Sequence, residues 1–355
     1  MFKEKFIVGG ELTFSPSIFV RKDYHQFSDY GSELYEYQRY YTFGAYYSLK
    51  VVIQNLNFQP NEYVLLPSYL CPTMIEPFRK AGIKYDFFKL KEGLLPDLDD
   101  IVKKTKHGLK AVLFIDYFGF PQKNYLAPII EFLKAKGVKI IQDTVQSWLN
   151  NEGDLYADFC VNSVRKYLPF EASILFAKNN LKIDFNNKPI HKFLLHKRYA
   201  QMLRFYHLEY GLFRSKSFLN HINIANQNYH HDCIIGMPKL NQWLLDRIDI
   251  ISLGQKRHKV FLELISKLNP KQILKKNSNY VIPLGLAVYL EDRNKKKKLL
   301  HSHDIHCPLH WKLSEEINKK EHEYSWDLEK HALTLPVNVK LHKLAKYIEK
   351  LRKVL

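Results

Sequence analysis

Residues 138–176 read VKIIQDTVQSWLNNEGDLYADFCVNSVRKYLPFEASILF, and two polar groups within them decide how the rest of the chain is read. Val138-Lys139-Ile140-Ile141-Gln142 has the apolar content of a short buried strand, which puts Asp143 at its carboxyl end and Gln146 three residues later. A second apolar run, Ala157 to Asn162, leads into Ser163-Val164-Arg165-Lys166, so Lys166 emerges at the same sheet edge. Open α/β sheets bind their ligands at that edge. Taken singly the signals are weak: an Asp after a strand is commonly a turn or cap residue, and Lys166 is one of 54 lysines and arginines.

A strand-end carboxylate beside a strand-end lysine is the minimum equipment of a pyridoxal phosphate (PLP) site, with the lysine for an imine and the carboxylate for the pyridinium nitrogen. The surrounding sequence fits such a sheet. Glu62 to Pro67, Ile83 to Leu90 and Lys110 to Asp116 read as strands; Thr73 to Ala81, Leu98 to Lys104 and Tyr125 to Lys136 read as the helices between them. Regular αβ alternation with β-rich apolar runs predicts a mostly parallel sheet covered by helices. Upstream, Leu49, Val52, Ile53 and Leu56 mark one face of a helix, and Gly44 stands just before its start, where free backbone N–H groups suit a phosphate.

Length and composition bound the alternatives. The 355 residues, 46% hydrophobic, are enough for one large domain and a smaller one. No apolar run reaches membrane-spanning length and the N-terminus lacks a signal-peptide core, so the expectation is a cytoplasmic protein without membrane contact. Cys71, Cys160, Cys233 and Cys307 lie far apart, which argues against a zinc site or a disulfide framework; no metal is expected. A net charge of +18 raises the question of nucleic acid, but the lysines are dispersed. The one dense run, Arg293 to Lys298, reads as the solvated face of a helix. A basic surface equally concentrates a small phosphorylated or nucleotide-linked substrate.

Around this centre, residues 1–40 read as an irregular N-terminal arm, 41–269 as a large PLP-binding domain with long helices, and 270–355 as a small C-terminal α+β domain. Pro189 to Phe213 and Leu240 to Leu268 read as two long helical regions, Tyr280 to Leu290 as a strand and Leu341 to Val354 as a closing helix.

The order of parts resembles fold-type I PLP-dependent transferases, and more narrowly the DegT/StrS family of sugar aminotransferases. The landmarks are Phe43-Gly44-Ala45, Pro67-Ser68-Tyr69, Asp116-Tyr117-Phe118-Gly119-Phe120-Pro121, Gln142-Asp143-Thr144-Val145-Gln146, Lys166 and Leu335-Pro336. The resemblance implies that Lys166 forms the imine and shuttles a proton, that Asp143 pairs with the ring nitrogen, and that Gln146 lies by the phenolic oxygen. Gly44, Ala45, Tyr46 and Ser163 would hold the cofactor at its phosphate end. Tyr69, chosen over Cys71 as the aromatic, would stack on the ring. It further implies a homodimer, an amino donor such as glutamate, and a keto-sugar acceptor carried on a nucleotide, in polysaccharide, lipopolysaccharide or secondary-metabolite biosynthesis.

The departures are specific. Tyr167-Leu168-Pro169-Phe170 stands where the family has a glycine-rich turn, and Gly236-Met237-Pro238-Lys239 lacks the Asn and Arg that relatives lend to a neighbouring subunit's phosphate. Three further readings follow. A degenerate, non-catalytic binding protein explains the lost anchors; another PLP enzyme acting on amino acids or sugars shares the same centre, although a sugar dehydratase would carry histidine in place of Lys166. A nucleic-acid-binding protein has only the charge in its favour.

Overall fold

The computed structural model describes residues 4–150, 155–185, 190–229, 233–275 and 280–355. Among them, the apolar runs assemble into one seven-stranded sheet: β1 Gln38–Thr42, β2 Tyr63–Pro67, β3 Lys84–Phe88, β4 Leu109–Ile115, β5 Lys139–Asp143, β6 Phe159–Val161 and β7 Ser173–Ala177. Their order across the sheet is β1-β7-β6-β5-β4-β2-β3. From β3 through to β6 neighbours are parallel, and β7 runs antiparallel to both β6 and β1. This is the mostly parallel α/β sheet that the alternation predicts. A strand covered on both faces needs apolar residues at consecutive positions, and Val64, Leu65, Leu66, Val112, Phe114, Ile140 and Ile141 are all sealed from solvent. Each such side chain contributes roughly 1.5–3 kcal/mol.

Helices Ala45–Leu56, Pro72–Lys80, Leu98–Lys104 and Lys123–Ala135 cover the sheet where the periodicity places them. The third starts where it does because the Asp97 carboxylate accepts from the N–H groups of Asp99 and Asp100. Elsewhere the structure departs from the expectation. The segment before residue 40 is largely irregular but anchored, with Phe14, Ile18, Phe27 and Tyr30 buried. It ends in β1, whose Thr42 pairs with Ser173 and Gln38 with Ala177. The helical region expected from Leu240 to Leu268 is two helices, Lys239–Leu245 and Ile250–Lys267, because Asp249 caps the second through Ser252 N–H. The expected start of the first long helix, Pro189, lies outside the described residues. That helix, His191–Tyr210, ends at Gly211 in the left-handed conformation, and an unanticipated helix, Ser215–Gln227, packs back against it.

In the C-terminal part, β8 Gly285–Tyr289 pairs antiparallel with β9 Ala332–Pro336, flanked by helices Arg293–Ser302 and Leu344–Arg352. Side chains tie it to the large sheet. Asn150 donates to Gly119 O at 3.0 Å and Ile282 O at 2.8 Å, and accepts from Ile282 N at 2.6 Å. Arg257 donates to Pro283 O at 3.1 Å and Leu284 O at 2.5 Å. Two more inward-facing arginines clamp backbone in the same manner: Arg198 on Pro169 O at 2.5 Å, and Arg204 on Glu11 O at 2.9 Å and Gly9 O at 2.8 Å. No helix among the described residues is long and apolar enough to cross a membrane.

Candidate active site

Asp143 closes β5 with Ile115 of β4 and Val161 of β6 as its strand partners, so it stands at the carboxyl edge in the middle of the sheet. Val145 N–H donates to its Oδ1 at 2.7 Å. Burial pushes its carboxyl up to about 7, with the neighbouring Asp116 adding to the effect and Lys166 opposing it. Asp116, sealed at the end of β4, is itself pushed up to about 6 by burial, against hydrogen bonds from Gln142 and Ser147. A bound cation or strong donor beside Asp143 would therefore restore its ionised form.

Lys166 ends the short 3-10 turn Val164–Lys166 that follows β6. Burial, reinforced by the adjacent Arg165, lowers its ammonium pKa below the usual lysine value and enlarges the neutral, nucleophilic fraction. Gln146 fixes its own orientation by accepting from Phe118 N–H at 2.5 Å. Its Nε2 is buried with no hydrogen-bond partner among the described residues, and so is the Oγ of Ser163. Buried polar atoms are nearly always paired, so two such atoms on one cavity point to a ligand. Gly44 caps the helix Ala45–Leu56, and a Cβ added there would meet nothing within 4 Å.

These groups meet in a single cavity. Gly44, Ala45, Tyr46, Asp143, Gln146, Ser163 and Lys166 all line it, and it encloses about 860 Å³, part of it open to solvent. Tyr69 does not reach it. Its ring is sealed behind the wall, 5.4 Å from Trp311 and 6.0 Å from Tyr117 between centroids, and its hydroxyl donates to His310 O. The wall at that place is made by Cys71 and Trp311. Tyr229 and Arg165 complete the lining. Residue spacing gave no signal for Trp311 or Tyr229, which arrive from distant segments, whereas Arg165 stood beside Lys166 in the opening stretch.

Beyond Lys166 and Arg165 a second cavity of about 980 Å³ opens, bordered by Gly10, His306, His310 and Thr334. His310 Nδ1 lies 2.8 Å from Thr334 Oγ1, and burial, with the Lys166 charge adding, pushes the imidazole down to about 3, so it is neutral around physiological pH. The basic groups of the helix from His191 turn elsewhere. Lys197 pairs with Glu11 at 2.8 Å, and Arg198 and Arg204 hold backbone, while Phe193 packs on Phe43 and Tyr229. Gly236 bridges to Thr42, so the segment that lacks the Asn and Arg lies along β1.

PLP demands an amine for its aldehyde, an anion for its ring nitrogen, a donor for its phenolic oxygen and several donors for its phosphate. The cavity meets these demands with Lys166, Asp143, Gln146 Nε2, and the Ser163 hydroxyl with the helix N-terminus at Gly44.

No protein-family model and no curated protein matches the chain in sequence. Solved structures do match in three dimensions. A DegT/DnrJ/EryC1/StrS aminotransferase from Brucella abortus superposes with a TM-score of 0.66 at 14% identity, over 96% of this chain and 91% of that one. NtdA from Bacillus subtilis, solved with bound cofactor PMP, gives 0.66 at 16%, over 97% and 78%. The sugar aminotransferase CalS13 from Micromonospora echinospora gives 0.61 at 13%, over 97% and 93%. Nearly end to end, and at great sequence distance, this chain therefore has the fold of these aminotransferases, that of fold-type I PLP-dependent transferases.

Proposed function

We propose that this protein is a PLP-dependent aminotransferase that moves an amino group from a donor, glutamate in the first instance, to a keto-sugar carried on a nucleotide. One observation carries the reading: Lys166, Asp143 and two unpartnered buried donors converge on one cavity at the carboxyl edge of the sheet. When bound, the cofactor supplies the electron sink for the carbanion left by loss of the donor's α-proton. Lys166 Nζ takes that proton from the donor's Cα, a task open to it because burial keeps part of its population neutral. Asp143 accepts a hydrogen bond from the ring nitrogen and is held ionised by it. Gln146 Nε2 donates to the phenolic oxygen, and Ser163 Oγ with the N–H groups at Ala45 and Tyr46 donates to the phosphate.

The net charge of +18 supports a diphosphate-bearing acceptor. On this reading the protein is a cytoplasmic homodimer that takes small molecules rather than nucleic acid, and it divides into an arm over 1–40, a large domain over 41–269 and a small one over 270–355. Sedimentation of an active monomer would contradict the dimer. The substrate is tested by amino transfer from glutamate to a panel of 3-keto and 4-keto nucleotide sugars beside free keto acids, at two salt concentrations. Nucleotide sugars should be the better acceptors, with a Michaelis constant that rises with salt. Efficient amination of keto acids alone, without a salt effect, would make this an amino-acid aminotransferase instead.

Cofactor anchoring gives a separate expectation. Ser163→Ala removes a charge-assisted hydrogen bond of roughly 1.5–3 kcal/mol, so PLP should bind about 10- to 100-fold more weakly. The cofactor-free variant should melt no lower than the parent, because the hydroxyl has no protein partner to lose. A PLP titration with an unchanged dissociation constant would remove Ser163 from the site.

A further inference from the structure

We infer that Arg165 is the residue that binds the carboxylate of the amino donor, from the junction between the two cavities. The inference rests on the proposed amino-transfer reading and names the donor-binding group of the same site.

Arg165 differs from the other inward-facing arginines in what its guanidinium does. Arg198, Arg204 and Arg257 are each committed to backbone carbonyls through short hydrogen bonds. Arg165 has no hydrogen bond among the described residues. Its one ion partner among them is Glu171, at 3.9 Å, too far for a hydrogen bond. Glu171 is itself buried, and its Oε2 has no hydrogen-bond partner either, so the carboxylate steadies the guanidinium by charge and leaves its N–H fork open. The Arg165 side chain is half exposed, at 50%, which is an open donor set at a cavity mouth rather than a structural tie.

Its place in the fold is equally specific. Arg165 directly precedes Lys166, and the two side chains together border both the cavity of Asp143 and Gln146 and the second cavity of Gly10, His306 and His310. An amino donor must bring its nitrogen to the reacting centre that Lys166 serves, and its carboxylate is attached to the same carbon. A fork of N–H donors beside Lys166 is thus where that carboxylate arrives, and guanidinium matches a carboxylate in two parallel hydrogen bonds. Of the other basic groups on the second cavity, Arg257 holds Pro283 and Leu284, and burial disfavours the cationic form of both His306 and His310. The phosphate of the cofactor has its own donors at Gly44 and Ser163, on the first cavity alone.

The test uses the full-length protein loaded with PLP and the variants Arg165→Gln and Arg165→Lys. Calorimetric titration with glutarate, an unreactive dicarboxylate, reads binding without turnover; spectral conversion of the cofactor by glutamate reads the half-reaction; PLP titration reads the phosphate end. Arg165→Gln should weaken glutarate and raise the half-saturating glutamate concentration by about 10-fold or more, with the PLP dissociation constant unchanged within about threefold. Arg165→Lys should recover part of the loss, because it restores charge without the fork. Weakened PLP binding with intact glutarate binding would assign Arg165 to the phosphate and overturn the inference, as would variants that bind both like the parent. If the parent binds glutarate through Arg165 but glutamate never converts the cofactor, the amino-transfer reading fails while the anion site stands.

Discussion

Replacing Asp143 with Asn should make the cofactor-free protein relatively more stable as pH rises, and should slow amino transfer by orders of magnitude. The carboxyl is raised from an ordinary 3.8 to about 7 in the folded chain, chiefly by burial. A group whose pKa is higher folded than unfolded stabilises the fold below its unfolded value, and that contribution is lost as pH rises through the folded value. The parent should therefore lose stability between about pH 4 and about pH 7 through this residue, and Asp143→Asn should not. The gap between the two unfolding free energies should widen over that window by on the order of 4 kcal/mol and stay level above it. Comparing the difference across pH cancels any fixed penalty of placing an amide at this position. With PLP bound, the same substitution removes the anion that faces the ring nitrogen, and the glutamate half-reaction should slow by roughly 10³-fold or more. Urea melts across pH and single-turnover spectra check the two halves independently. A parallel pH dependence in parent and variant would mean that water or a partner solvates the carboxyl, and near-normal turnover would reduce Asp143 to a cap.

The second large effect belongs to Lys166. Borohydride treatment of the PLP-loaded protein, followed by digestion, should leave the pyridoxyl mass on the peptide that contains Lys166. Lys166→Ala should still fold, because the side chain is only partly buried and makes no hydrogen bond within the described residues, yet amino transfer should fall by about 10³-fold or more. The lowered ammonium pKa also sets a direction. The base limb of the rate profile should lie below the range of a free lysine, since the neutral amine is already available there. Label on another lysine, or a variant that still turns over, would move the chemistry elsewhere.

The sheet was legible because strands covered on both faces must be continuously apolar, and runs such as Tyr63–Pro67 and Lys139–Asp143 leave little choice. β1 was not, because an edge strand half open to solvent carries no such constraint: Gln38 is exposed and Arg39 to Tyr41 only partly covered. The site followed the same division. Asp143, Gln146 and Lys166 lie just past strand ends, where sequence position translates directly into place. Tyr69 also follows a strand, but which way a side chain turns after its strand depends on what comes to meet it. Here Trp311 and His310 arrive from the C-terminal part, take the hydroxyl of Tyr69 and leave the cavity wall to Cys71 and Trp311. The partners of Lys197, Arg198 and Arg204 on the helix from His191 were not legible for a related reason, since Glu11, Pro169 and Gly9 are remote in sequence.

Among the arginines that clamp backbone carbonyls, Arg204 and Arg257 limit how the chain can drift. At an exposed position that makes no specific contact, exchanging lysine for arginine keeps the charge and costs little stability. A lysine at 204 or 257 would keep the charge but present a single point where a planar fork now spans two carbonyls of different residues. Such an exchange, silent over the rest of the surface, would unfasten the Gly9–Glu11 turn in one case and the Pro283–Leu284 segment in the other. Both border the second cavity, so a substitution that looks conservative could alter what this protein accepts without touching any residue that meets the substrate.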